Sequence, residues 1–154
     1  ARLPAADLAA IEHAASHYSV GWSHGREKMS KGRPDTGKGS FYANPMHDDP
    51  SFGDAALVKQ HPTFVTPNVW PAALPELRGA FRAYAGQIVG VAKTIAGRLD
   101  SYVARELAAS GCPPPPPDVI SQTMDDRACT GRLLYYFPTA GSDSGTGTGS
   151  GRVV

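Results

Sequence analysis

Between Pro75 and Ala109, the residues Leu77, Phe81, Tyr84, Ile88, Val91, Ile95, Leu99 and Tyr102 follow one another at steps of 4, 3, 4, 3, 4, 4 and 3. That spacing keeps all of them on one side of an α-helix, so it predicts a long helix with one continuous apolar stripe. Pro75 and Glu76 suit a first turn, where a missing N–H costs nothing and a negative charge meets the positive end of the helix dipole. Gly111 and then Pro113 stop the helix. Gly79, Gly86, Gly90 and Gly97 lie inside it, each costing about 1 kcal/mol relative to Ala. Packing, rather than propensity, therefore has to hold this helix, and the glycines are places where it can bend or break. Gly86 and Gly90 have GxxxG spacing, but Arg82, Gln87 and Lys93 exclude a membrane-buried helix.

A stripe of that length needs a substantial partner surface. The 154 residues allow one domain with a real core, and 41% of them are hydrophobic. A net charge of +1 without a basic block argues against nucleic acid as a partner, because phosphate binding needs a cationic surface. No apolar run approaches the roughly 18 residues that span a bilayer, and no basic-then-apolar signal opens the chain. Cys112 and Cys129 are too few for a disulfide framework and too far apart for a CxxC site. A reduced, cytoplasmic compartment is the expectation.

Before the long helix, residues 1–20 read as a short amphipathic helix, with Leu8, Ile11, Ala15 and Tyr18 on one face and Pro4 in its first turn. From Gly21 to Pro71 periodicity disappears and turn-forming residues punctuate the chain. A short helix from about Asp54 to Gln60, capped by Asp54, is expected within it. The aromatics Trp22, Phe41, Tyr42, Phe52, Phe64 and Trp70 argue for an ordered, irregular segment, since disordered linkers are aromatic-poor. After the helix, Pro113–Pro117 form a stiff extended connector. Arg132 to Phe137 read as one strand ended by Pro138. Residues 139–154 open as a flexible Gly/Ser/Thr-rich tail with only Arg152, Val153 and Val154 beyond it. Ala1 in place of Met means either a removed initiator or a piece of something longer, and with so little beyond the tail the chain reads as cut.

Candidate sites are sparse. His13 and His17 stand at i, i+4 with His24 nearby, a helical spacing that suits zinc, but no Glu or Cys completes a set. Exposed or half-buried helix histidines are the competing reading. Gly32 to Gly39 nearly matches the phosphate-cradling G-x4-G-K-[ST] loop, yet Gly39 replaces the Ser/Thr and no apolar strand precedes it. His47-Asp48-Asp49 contains His-x-Asp, two arms of a non-haem iron triad. It lies between Pro45 and Pro50, the only later histidine is His61, and no sheet is expected upstream to hold it. No Ser/His/Asp set, catalytic carboxylate pair or Cys/His pair emerges. On the last strand, alternation puts Tyr135 and Phe137 on one face and Leu134 and Tyr136 on the other.

Three stretches taken in order carry a resemblance. They are Val20–Lys28 followed by Lys38–Pro45, then His61-Pro62 to Asn68-Val-Trp-Pro71 opening Leu74-Pro-Glu-Leu77, and finally Gly131-Arg-Leu-Leu-Tyr-Tyr-Phe-Pro138. Across roughly residues 5–138 the chain resembles the isopenicillin N synthase-like branch of the Fe(II)/2-oxoglutarate-dependent oxygenases, especially its plant and algal members. The resemblance implies an α+β fold, in which an N-terminal helical region wraps a double-stranded β-helix, or jelly-roll, core. Residues 1–130 would form that region, with the long helix 75–109 packed outside the core, and 131–138 its first strand.

In full-length relatives the iron ligands, a His-x-Asp pair and a distant His, follow this strand, as does an Arg-x-Ser pair for the cosubstrate. None appears after Pro138, so the metal role does not transfer to His47-Asp48-Asp49, and no cofactor is expected for this chain alone. Many relatives carry a cosubstrate-contacting tyrosine just before the strand-ending proline. That place is Phe137, which lacks the hydroxyl, while Tyr135 matches another position that approaches the cosubstrate. The implied activity is oxidation of a small organic substrate by a parent protein that uses Fe(II) and 2-oxoglutarate, with this fragment inactive. A non-catalytic interaction module, using the helix stripe and Pro113–Pro117, is the competing reading.

Overall fold

The computed structural model describes residues 3–124 and 126–138; the expected flexible tail, 139–154, lies outside the described residues. The fold is α+β, with one long helix against a three-stranded antiparallel open sheet in the order β1-β2-β3. The helices are α1 (Ala5–Ala10), α2 (Ala55–Gln60), α3 (Pro62–Val65) and α4 (Glu76–Ala109), and the strands β1 (Gly21–His24), β2 (Lys38–Ala43) and β3 (Gly131–Tyr136).

α4 is a single unbroken helix of 34 residues, about 51 Å long. Ser110 closes it by donating its N–H to the Glu106 and Leu107 carbonyls, and Gly111 follows at φ +71°, a left-handed stop that glycine takes without Cβ strain. α2 starts where expected, with an Asp54 carboxylate oxygen accepting from Ala56 and Leu57 N–H.

The first twenty residues depart from the expected helix. α1 ends at Ala10, and the chain turns through a 3₁₀ stretch, Ala14–Ser16, to left-handed His17 and Tyr18. Two local bonds win over helix continuation: His13 Nδ1 accepts from Ser16 N–H, and Ser16 Oγ donates to the His13 carbonyl. The reversal brings β1 back against α1, where Trp22 N–H donates to the Ile11 carbonyl at 3.0 Å. Gly21 makes this approach possible, because at φ +72° a Cβ there would stand 1.9 Å from that carbonyl oxygen.

The segment from Gly21 to Pro71 also departs from expectation, since it contains two strands of the sheet. β2 pairs with β1 (Trp22 opposite Phe41) and with β3 (Phe41 opposite Leu133). It is a central strand buried at Gly39, Ser40, Phe41 and Ala43, so both its faces are covered and no apolar–polar alternation marks it.

One face of the sheet meets the first turns of α4. Ile11, Phe41, Ala43 and Phe81 form the buried cluster, with Trp22, Val69, Trp70 and Leu77 packed on it. Phe81 stands edge-on to Phe41, with ring centroids 6.1 Å apart, and 5.6 Å from Trp70, within the range where aromatic pairs add to simple burial. Gly131 leaves room for Phe81, and Gly39 for the Trp22 indole. Of the aromatics in the Gly21–Pro71 segment, Phe52 and Phe64 are exposed.

The stripe itself is only partly used. Leu77 and Phe81 join the core, whereas Tyr84, Ile88, Val91, Ile95, Leu99 and Tyr102 are exposed. The loop after Pro117 packs on a flank of the helix instead. Asp100 there accepts from Ile120 N–H at 2.7 Å and from the Ser121 N–H and hydroxyl.

Candidate functional site

Tyr135 and Phe137 lie on the face of the sheet that also carries Trp22 of β1 and Phe41 of β2. Their rings meet edge-on at 5.1 Å, and Phe137 lies 4.9 Å from the His24 imidazole. They help line an apolar groove of about 290 Å³ between the sheet, α1 and the start of α4, walled by Leu8, Trp22, Leu74 and Leu77. Such walls favour an apolar ligand or side chain, and the Tyr135 hydroxyl is a polar handle among them.

The opposite face of the same strands is polar. Arg132 donates to Ser40 Oγ at 2.8 Å and to Glu27 Oε1 at 2.5 Å, and its guanidinium lies over the Tyr42 ring. The Tyr42 hydroxyl donates to the same Glu27 oxygen, while Lys38 bridges Glu27 and Asp35. The Lys38 ammonium is the main cause holding the Glu27 carboxyl below its ordinary range. Burial, then the bond to Glu27, pushes the Tyr42 phenol up. This lattice ties together residues up to 105 positions apart, a pairing with no signature in sequence spacing. It also disposes of the phosphate-loop reading: Lys38 is committed to two carboxylates and opens a strand, not a helix.

Contrary to expectation a sheet does lie upstream of His47-Asp48-Asp49, which follows β2 closely. The three side chains nevertheless diverge. His47 meets the Phe52 ring. Asp49 bonds back to Ser51 and Gly53 in its own turn. Asp48 turns to α4, where it pairs with Arg78 and, at 3.2 Å, with Arg82, and accepts from Trp70 Nε1 at 2.9 Å. Burial alone would raise the Asp48 carboxyl, but bonds from Trp70, Asn68 and Arg78 together hold it below the ordinary carboxylate range. Sequence reasoning missed this hub, because its partners lie on two other segments, the Asn68–Trp70 stretch and α4, 20 to 34 residues away.

His13 caps the 3₁₀ turn and His17 is left-handed, so the expected helical i, i+4 pair does not exist. Among the described residues no three His, Cys, Asp or Glu side chains stand together to hold a metal ion. Nor does any helix among them have the length and apolarity to cross a membrane. Comparison with family models, curated proteins and solved structures gives no match to this chain.

Proposed function

We propose that the chain is the N-terminal portion of a non-haem Fe(II)/2-oxoglutarate-dependent oxygenase of the isopenicillin N synthase-like type, whose full-length parent oxidises a small organic substrate in the cytoplasm. One observation carries the reading. The stretches that bear the resemblance are far apart in sequence, yet they adjoin in space. Val20–Lys28, Lys38–Pro45 and Gly131–Pro138 supply the neighbouring strands of one sheet. Asn68, from the stretch that opens α4, is bonded in both directions to Asn44 at the end of β2. In the proposed parent, the jelly-roll core continues from β3 and covers the exposed stripe of α4.

The described residues do not fit an iron ion, since they offer no ligand set. A dicarboxylate such as 2-oxoglutarate calls for a cation, whereas Arg132 lies on the opposite face from the Tyr135–Phe137 groove and is held by Glu27. The fragment is therefore proposed to bring Tyr135 and Phe137 to a site completed by the parent, and to be inactive alone. A second reading, a non-catalytic interaction module, draws on the exposure of Tyr84 through Tyr102.

The test is the size of the native protein in its source cell, read with an antibody against residues 75–109. A species well above 16.2 kDa supports the oxygenase reading, and a single species at that mass overturns it in favour of the module. Purified 1–154 supplied with Fe(II) is expected to consume no 2-oxoglutarate, and measurable consumption would refute the inactive-fragment reading.

A further inference from the structure

Pro113–Pro117 connects α4 to the 3₁₀ turn Ser121–Thr123. Proline fixes φ near −65° and pushes the residue before it out of the helical region, so a run of five is held in the polyproline II conformation. Both ends are tied to α4. At the first, Gly111 is left-handed at φ +71°, its N–H donates to the Ala108 carbonyl, and Cys112 N–H donates to the Leu107 carbonyl at 2.9 Å, a full Schellman closure. At the second, the Pro117 carbonyl accepts from Gln122 Nε2, and Ile120 and Ser121 N–H donate to the Asp100 carboxylate. The anchors Leu107 and Asp100 stand about 10 Å apart along the helix, and five polyproline II residues span about 12 Å, so the segment runs back beside α4 at a matching length. With three residues per turn, every third ring shares a side. Pro115 is half-buried, while Pro113, Pro114, Pro116 and Pro117 are exposed. One inward ring therefore separates two outward pairs, and each outward ring recurs three places on, the spacing of a PxxP ligand.

We propose that Pro113–Pro117 is a docking segment for a protein domain with an aromatic-lined groove, whose two neighbouring slots take Pro113–Pro114 and Pro116–Pro117. A segment already extended and anchored at both ends loses little conformational entropy on binding. Charge narrows the partner. Asp118, itself exposed, follows Pro117 directly, and the nearest preceding arginine, Arg105, is paired with Glu106. A groove with a neutral or basic rim at the Pro117 end fits this segment, whereas an acidic rim meets a like charge and no cation. Such docking gives the interaction module a partner class, yet it needs only this segment, and so it holds or fails whichever species the mass measurement finds.

Calorimetric titration of the 154-residue chain with purified SH3 and WW domains, chosen to carry acidic, neutral and basic groove rims, tests it. Saturable one-to-one binding to at least one domain with a neutral or basic rim is expected. The outward variants Pro114→Ala and Pro117→Ala should each weaken it at least about tenfold, as for residues that fill a slot. The inward variant Pro115→Ala should weaken it less than about threefold, as for a contact outside the slots. Asp118 is left-handed at φ +57°, a conformation that Asn tolerates, so Asp118→Asn is expected to keep the fold and bring acidic-rimmed domains closer to the others. Absence of binding to every neutral or basic-rimmed domain, a preference for acidic rims, an unchanged rim preference in Asp118→Asn, or equal losses in the inward and outward variants would each overturn the proposal. Should a variant lose helical circular dichroism, amide NMR of the wild-type chain decides. The added domain is expected to shift Gly111, Cys112 and Asp118 first, and shifts confined to other residues overturn the docking.

Discussion

Asn68 and Asn44 hold each other in both directions: Asn44 N–H donates to Asn68 Oδ1 at 2.6 Å, and Asn68 Nδ2 donates back to the Asn44 carbonyl at 2.7 Å. The Asn68 side chain thus stands in for a strand partner where β2 ends and the sheet runs out. Asn44 is buried and extends the lock, its own side-chain oxygen accepting from Met46 and His47 N–H. Asn68→Ala removes both of these bonds to the Asn44 backbone. A loss of about 2–6 kcal/mol is expected, at roughly 1–3 kcal/mol for each of the two lost bonds. Urea unfolding with an unchanged m-value checks it.

Acid is expected to loosen the attachment of α4 to the loop after β2. Asp48 is held below the ordinary carboxylate range when folded, so its contribution is fully present above the unfolded value of about 3.9. That contribution is lost as pH falls through the lower folded value. Glu27 and Asp49 shift in the same direction, so stability declines below about pH 4. Asp48→Asn is expected to be less stable at pH 7 and to show a shallower acid decline, measured as chemical denaturation midpoints between neutral and acid pH. An equally steep decline in the variant would count against this assignment.

The glycines divide into two groups with opposite expected signs. A Cβ on Gly39 would come within 2.0 Å of the Trp22 ring and one on Gly131 within 2.5 Å of Phe81, whereas Gly86 and Gly90 have nothing within 4 Å. Gly39→Ala and Gly131→Ala should each cost about 1–3 kcal/mol by overpacking. Gly86→Ala and Gly90→Ala should each stabilise the helix by up to about 1 kcal/mol. Thermal melts of the four single variants test the contrast, and a destabilised Gly86→Ala would contradict it.

Residues of one stripe are expected to differ sharply in weight. Phe81 is buried among Phe41 and Trp70, while Ile95 is 55% exposed. Phe81→Ala should cost about 3–5 kcal/mol, and Ile95→Ala less than about 0.5 kcal/mol, as for ordinary surface positions. Equal costs, measured by urea unfolding, would mean that the stripe is covered along its whole length.

Local signals carried α4, the Asp54 cap of α2 and β3, because helix periodicity, capping chemistry and a short β-rich run between Gly131 and Pro138 are written in neighbouring residues. β1 and β2 were not legible that way. A central strand covered on both faces has no alternation, and its partners arrive from up to 98 residues away, as Lys38 does opposite Tyr136. The extent of the first helix was equally out of reach, since the pull of Trp22 on the Ile11 carbonyl is a tertiary bond. Of the candidate site, the common face of Tyr135 and Phe137 followed from strand alternation alone. What that face looks onto, the commitment of Asp48 to Trp70 and two arginines, and the placing of Arg132 against Glu27 were decided by the tertiary fold. The physical reason is range. Propensity, capping and periodicity act within a few residues, whereas burial, ion pairing and strand partnership depend on which distant segments meet.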